Sequence, residues 1–169
     1  MEPASIPTDA ELTELAAQVA TIVQEQRLMV VTAESCTGGW IAKVLTDLAG
    51  SSAWFDAGVV TYSYGAKEAL LGVNPRTLEA SGAVSEQTAM EMVSGALARF
   101  GAGMAVAVTG IAGPSGGTPE KPVGTVWIGW KRRGAYAHAK LFHFDGDREA
   151  VRRQTVAAAL VGICETLKG

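Results

Sequence analysis

The apolar run Leu28–Val31 ends in a polar, glycine-bearing stretch, Thr32-Ala33-Glu34-Ser35-Cys36-Thr37-Gly38-Gly39, and a helical pattern follows from Trp40 to Leu48. A buried strand, a polar joint and a helix make up the building unit of open α/β sheets, which place their chemistry at such joints. Backbone N–H groups and the helix dipole favour negative charge there. This joint also sets a hydroxyl, Ser35, beside a thiol, Cys36. On these grounds alone either could be a nucleophile.

The rest of the chain repeats the alternation. Thr8 with Glu11 three positions on is a capping box, and Leu12, Leu15, Ala16, Val19, Ile22 and Val23 form one helical stripe behind it. Arg27 ends that helix and Leu28–Ala33 is the first strand. The joint leads into a helix from Trp40 to about Ala49. Gly58–Tyr64, rich in β-branched and aromatic residues, is predicted as a second strand. Gly65–Leu71 is a short helix carrying Lys67. Asn74-Pro75 restarts a brief helix, and Ser85 caps a longer one to about Phe100. Met104–Val108 is a continuous apolar run, hence a buried third strand. A long glycine-rich loop, Gly110–Pro119, precedes a hairpin, Val123–Arg132 and Ala135–Phe144, and a last helix runs to about Leu167. The order predicts an α/β fold, a three-layer α/β/α sandwich on a mixed sheet of about five strands. Residues 1–169 read as a single domain, with 1–8 a loose leader.

Composition removes several alternatives. Of the 169 residues 48% are apolar, too many for a disordered chain. A net charge of -3 provides no general basic surface, so direct nucleic-acid binding is not expected. Lys131–Arg133 and Arg148–Arg153 read as solvated turn and helix faces. No apolar signal region opens the chain and no run approaches a membrane span, so a soluble cytoplasmic protein is the default. The two cysteines, Cys36 and Cys164, imply no disulfide framework. The two histidines, His138 and His143, are five apart on one strand and therefore face opposite ways, which argues against a metal site.

The hydroxyl or thiol then needs another base. A lysine can serve if burial disfavours its ammonium, and Lys67 sits just after the second strand, near the sheet edge where Ser35 emerges. Tyr62, near the end of that strand, could relay a proton between them. Ser63 and Tyr64 need not face the same cavity. The glycine loop lacks the G-x-x-x-x-G-K-[ST] pattern of a P-loop and reads as a turn system or a phosphate cradle.

Five blocks recur together in one family: Ala33–Gly39; Val60–Ser63 with Ala66-Lys67; Ala83–Glu86; Thr109–Pro114 with Gly116-Gly117; and Lys121–Val126. By these the chain resembles the CinA C-terminal domain family, whose enzymatic members are nicotinamide-nucleotide amidohydrolases. The resemblance covers about residues 10–167. It implies a three-layer fold and a hydrolase that deamidates nicotinamide mononucleotide, a small-molecule nucleotide, to nicotinate mononucleotide and ammonia, with no cofactor and no metal. Ser35 matches the family's nucleophilic serine, Lys67 its lysine and Tyr62 its tyrosine. On that footing the N–H groups of Cys36, Thr37, Gly38 and Gly39 are expected to hold the oxyanion. Thr109, Gly110, Gly113, Gly116, Gly117 and Arg148 are expected to meet the substrate. Longer relatives carry an extra N-terminal domain, so this chain reads as the stand-alone form, compatible with a homo-oligomer. One departure stands out: the family often has asparagine where this chain has Tyr64. A nucleotide-binding module without catalysis and an interaction protein of DNA uptake or repair are the other classes the resemblance leaves.

Overall fold

The computed structural model of the chain describes residues 5–169. Of the expected leader, residues 1–4 lie outside the described part, and 5–8 are irregular up to Thr8. Thr8 opens α1 (Asp9–Glu25) with the expected reciprocal cap: its hydroxyl accepts from the Glu11 N–H and the Glu11 carboxylate accepts from the Thr8 N–H. There follow β1 (Val30–Glu34), α2 (Trp40–Thr46), β2 (Phe55–Val60), α3 (Tyr64–Leu71), α4 (Pro75–Ser81) and α5 (Glu86–Arg99). The chain closes with β3 (Met104–Gly110), β4 (Thr125–Arg132), β5 (His138–His143) and α6 (Arg148–Lys168). The strands form one sheet in the order β2-β1-β3-β4-β5. β1 runs parallel to β2 and β3, whereas β3–β4 and β4–β5 are antiparallel. The mixed five-stranded α/β fold is the one read from the sequence.

Period-2 alternation sorts the two layers. On β3, Met104, Val106 and Val108 face α1, α2 and α6, while Ala105 and Ala107 face the α3–α5 side. Small residues on the second face let helices come close. A Cβ at Gly129 of β4 would lie 2.9 Å from the Ala89 carbonyl oxygen of α5. α3 approaches α5 more closely still, since a Cβ at Gly95 would lie 1.8 Å from the Leu71 carbonyl oxygen. On the other face the Trp130 ring lies against Gly162 of α6 and its N–H donates to the Ala159 carbonyl at 3.0 Å.

β1, between β2 and β3, is buried at every position, and edge strand β2 alternates between half-buried and exposed. Val31 and Ala33 of β1 face the α3–α5 layer, and Ser35 continues their parity. The β1–β2 register carries a bulge: Val30 pairs with Phe55 but Val31 with Ala57, leaving Asp56 as an extra residue.

The second strand lies earlier than the predicted Gly58–Tyr64. The chain leaves the sheet after Val60, and the Ser63 hydroxyl caps α3 by accepting from the Ala66 N–H at 3.1 Å. Capping takes precedence over the strand preference of Tyr62 and Tyr64. Among the described residues no helix is long and apolar enough to cross a membrane.

Candidate active site

β1, β2 and β3 all end on the same edge of the sheet, and open α/β sheets bind ligands in the crevice outside those ends. Ser35 follows β1 directly. Its N–H donates to the Val108 carbonyl at 3.1 Å, and the carbonyl of the preceding Glu34 accepts from the Thr61 N–H at 2.8 Å. Two flanking strands thus fix the serine backbone. From the helical side Lys67 of α3 reaches in, only 1% exposed. Its Nζ donates to the Ser35 Oγ at 2.9 Å and to the Thr61 carbonyl at 2.7 Å. The ion pairs among the described residues do not include it. Burial without a countercharge lowers its pKa from 10.5 to about 8, desolvation being the main cause. A neutral amine at this distance is chemically able to accept a proton from the Ser35 hydroxyl across the same contact.

The neighbouring thiol is unsuited to attack. Cys36 is 5% exposed, and burial, reinforced by the Glu34 carboxylate, pushes it up to about 12. Of the two groups, the Ser35 hydroxyl is the one in contact with the Lys67 amine.

Glu34 is wholly buried. One of its oxygens accepts from the Thr37 hydroxyl at 2.7 Å and the Ile41 N–H at 2.9 Å, the other from the Ala42 N–H at 3.0 Å. The carboxylate caps α2 from inside the sheet, so the protein's own anion satisfies those free N–H groups. The joint turns at Gly38 and Gly39, whose φ angles of +60° and +98° suit glycine. Of the four N–H groups expected to hold an oxyanion, that of Gly38 donates to the Ser35 carbonyl at 3.0 Å, and that of Cys36 makes no hydrogen bond to another described residue. Those of Thr37 and Gly39 have no partner among the described residues. Arg152 of α6 braces the joint, with Nε donating to the Cys36 carbonyl and Nη2 to the Thr37 carbonyl, both at 3.0 Å. Neither Glu34 nor Arg152 was singled out from the sequence as part of the site. No local pattern joins Arg152 to a loop more than a hundred residues away.

Tyr62 is not placed between serine and lysine. It is 59% exposed, and its hydroxyl accepts from Arg148 Nη2 at 3.0 Å rather than bonding to Ser35 or Lys67. Because β2 stops at Val60, the chain has turned outward by residue 62. Arg148 Nη1 also donates to the Gly113 carbonyl at 2.8 Å, so Tyr62, Arg148 and the glycine loop form one rim. The buried Thr109 hydroxyl donates to the Ala83 carbonyl at 2.8 Å, and the Tyr64 hydroxyl accepts from the Ala83 N–H at 3.3 Å. Gly110 belongs to β3 rather than to the loop, and a Cβ there would lie 2.6 Å from Val126 Cγ2. Cβ atoms at Gly113 and Gly117 would press on Val123 at 2.5 and 2.8 Å, while Gly116 turns at a φ of +93°. Close packing therefore accounts for most of these glycines. A cleft of 460 Å³ opens between this loop and the start of α6, and another of 380 Å³ lies over Thr37–Trp40, Lys43 and Arg152.

His138 stacks on Trp130 with centroids 5.6 Å apart, and its Nε2 lies 3.3 Å from the Thr166 hydroxyl. Among the described residues no three histidine, cysteine, aspartate or glutamate side chains gather as metal ligands would.

Known proteins share the sequence and the fold. The chain is 52% identical over 153 residues to the nicotinamide-nucleotide amidohydrolase PncC of Escherichia coli K12, covering 90% of this chain and 93% of that one. It is 51% identical over 154 residues to the protein of the same name from Pseudomonas putida, covering 91% and 96%. The crystal structure of the competence/damage inducible protein CihA from Agrobacterium tumefaciens superposes with a TM-score of 0.90 at 47% identity, covering 98% of this chain and 99% of that one. The profile described as the CinA C-terminal domain matches residues 12–167, and the chain belongs to that family.

Proposed function

We propose that this protein is a nicotinamide-nucleotide amidohydrolase, converting nicotinamide mononucleotide to nicotinate mononucleotide and ammonia by acyl transfer through Ser35 and Lys67. The observation that carries the reading is the buried, unpaired Lys67 amine 2.9 Å from the Ser35 hydroxyl. The likeness to proteins named for this activity supplies the substrate.

The residues act in sequence. Neutral Lys67 takes the Ser35 proton as Oγ bonds to the carboxamide carbon. The N–H groups of Thr37 and Gly39, unclaimed by the fold, receive the developing oxyanion. Lys67 returns its proton to the nitrogen, the C–N bond breaks and ammonia leaves. Water then gives a proton to Lys67 and attacks the acyl carbon, and Ser35 departs with that proton. Tyr62 and Arg148 act at the rim as substrate contacts, Arg148 and the loop from Ile111 to Gly117 receiving the phosphate.

Ammonia release from nicotinamide mononucleotide by the purified protein is the test. Turnover that vanishes in Ser35→Ala supports the proposal. Binding of the nucleotide with no turnover by the unaltered protein would instead make it a binding module.

A further inference from the structure

The joint around Ser35 is held on its α6 side by one side chain. Arg152 places two N–H donors on two successive carbonyls, those of Cys36 and Thr37. A trans peptide is planar, and its C=O and N–H point in opposite directions. Holding the Cys36 carbonyl toward α6 therefore turns the Thr37 N–H away from α6. Holding the Thr37 carbonyl the same way turns the Gly38 N–H away from α6, where it meets the Ser35 carbonyl at 3.0 Å. The Gly38 group is satisfied within the turn; the Thr37 group is not. The other end of Thr37 is also fixed, because its hydroxyl donates to the buried Glu34 carboxylate at 2.7 Å. The guanidinium itself is braced over the Trp40 ring, 5.4 Å from the centroid. We propose that Arg152 is a positioning residue: its paired hydrogen bonds to the Cys36 and Thr37 carbonyls aim the free Thr37 N–H at the oxyanion formed by Ser35. This rests on Ser35 being the nucleophile.

Its distinguishing consequence is an effect on turnover without an effect on substrate binding. A planar fork is needed to hold two carbonyls at once, so lysine is a poor substitute for it. Loss of one aligned oxyanion donor lowers turnover by roughly 10²-fold to 10³-fold. Arg152→Gln and Arg152→Lys should each lower kcat on nicotinamide mononucleotide by about 10²-fold. Binding is read in a Ser35→Ala background, where substrate is not consumed. Calorimetric titration of Ser35→Ala and of Ser35→Ala/Arg152→Gln with nicotinamide mononucleotide should give the same Kd and the same stoichiometry. The stoichiometry guards against misfolding, because an unfolded fraction lowers it in step with kcat. An unchanged kcat in Arg152→Gln overturns the inference. So does a Kd weakened tenfold or more, which would make Arg152 a contact to the substrate phosphate, and so does a kcat loss matched by lost stoichiometry. Failure of the underlying reading looks different: Ser35→Ala would itself retain turnover.

Discussion

The depressed pKa of Lys67 makes the pH dependence of catalysis the sharpest test of the site. If the neutral amine is the base, kcat/KM follows its fraction in the free enzyme. With a pKa of about 8, that fraction is about 1% at pH 6, about 9% at pH 7 and about 90% at pH 9. The rate should climb nearly tenfold per pH unit below 7 and level off above 9. The same burial acts on stability. The folded-state value lies below the ordinary 10.5, so between pH 8 and 10.5 the unfolded chain binds more protons and stability rises with pH. The gap corresponds to about 3 kcal/mol gained across that window. Lys67→Met should abolish turnover and remove this part of the rise in Tm when both proteins are melted from pH 7 to 10. Lys67→Arg should be inactive, because arginine does not give up its proton. A flat kcat/KM between pH 6 and 9, or an active Lys67→Arg enzyme, would refute lysine as the base.

Cys36→Ala should keep most of its ammonia release, and iodoacetamide should leave the native enzyme active, because the thiol is buried and held protonated. Tyr62→Phe removes a hydroxyl bonded to Arg148 and not to the reacting pair. It should raise KM and lower kcat by less than about tenfold, as read from initial rates, since a proton relay would cost roughly 10²-fold or more. Gly95→Ala forces a methyl against the Leu71 carbonyl and displaces the helix that carries Lys67. It should lower stability by about 1–3 kcal/mol in urea titration and reduce turnover in the fraction that folds.

What the sequence disclosed follows physical range. Met104–Val108 and the joint after Leu28–Val31 were legible because an apolar run and a glycine turn are local signals. β2 was misplaced because it is a half-buried edge strand with little apolar contrast, and the aromatic residues beyond it imitated one. The Ser63 cap is a local cue that could have corrected this, since α3 begins at the next residue. The burial of Lys67 could not be read from its neighbours, because a lysine in a short helix is ordinarily solvated. Its position just after the second strand made it a candidate base, and likeness to a family then matched it to that family's lysine. Arg152 had neither kind of signal: its partners lie on another element, and its neighbours Glu149 and Arg153 suggest only a charged helix face.

The bulge at Asp56 lies far upstream of the reacting groups, yet it sets their phase. One supernumerary residue there slides the remainder of the edge strand by a single step, so that Thr61 rather than its predecessor donates to Glu34 and offers its carbonyl to Lys67. A strand residue advances about 3.3 Å and reverses its side chain at each step. Straightening the bulge while keeping that residue as an ordinary rung would leave every catalytic side chain in the chain but turn the anchor to the opposite side of the sheet, like a gear meshed one tooth out.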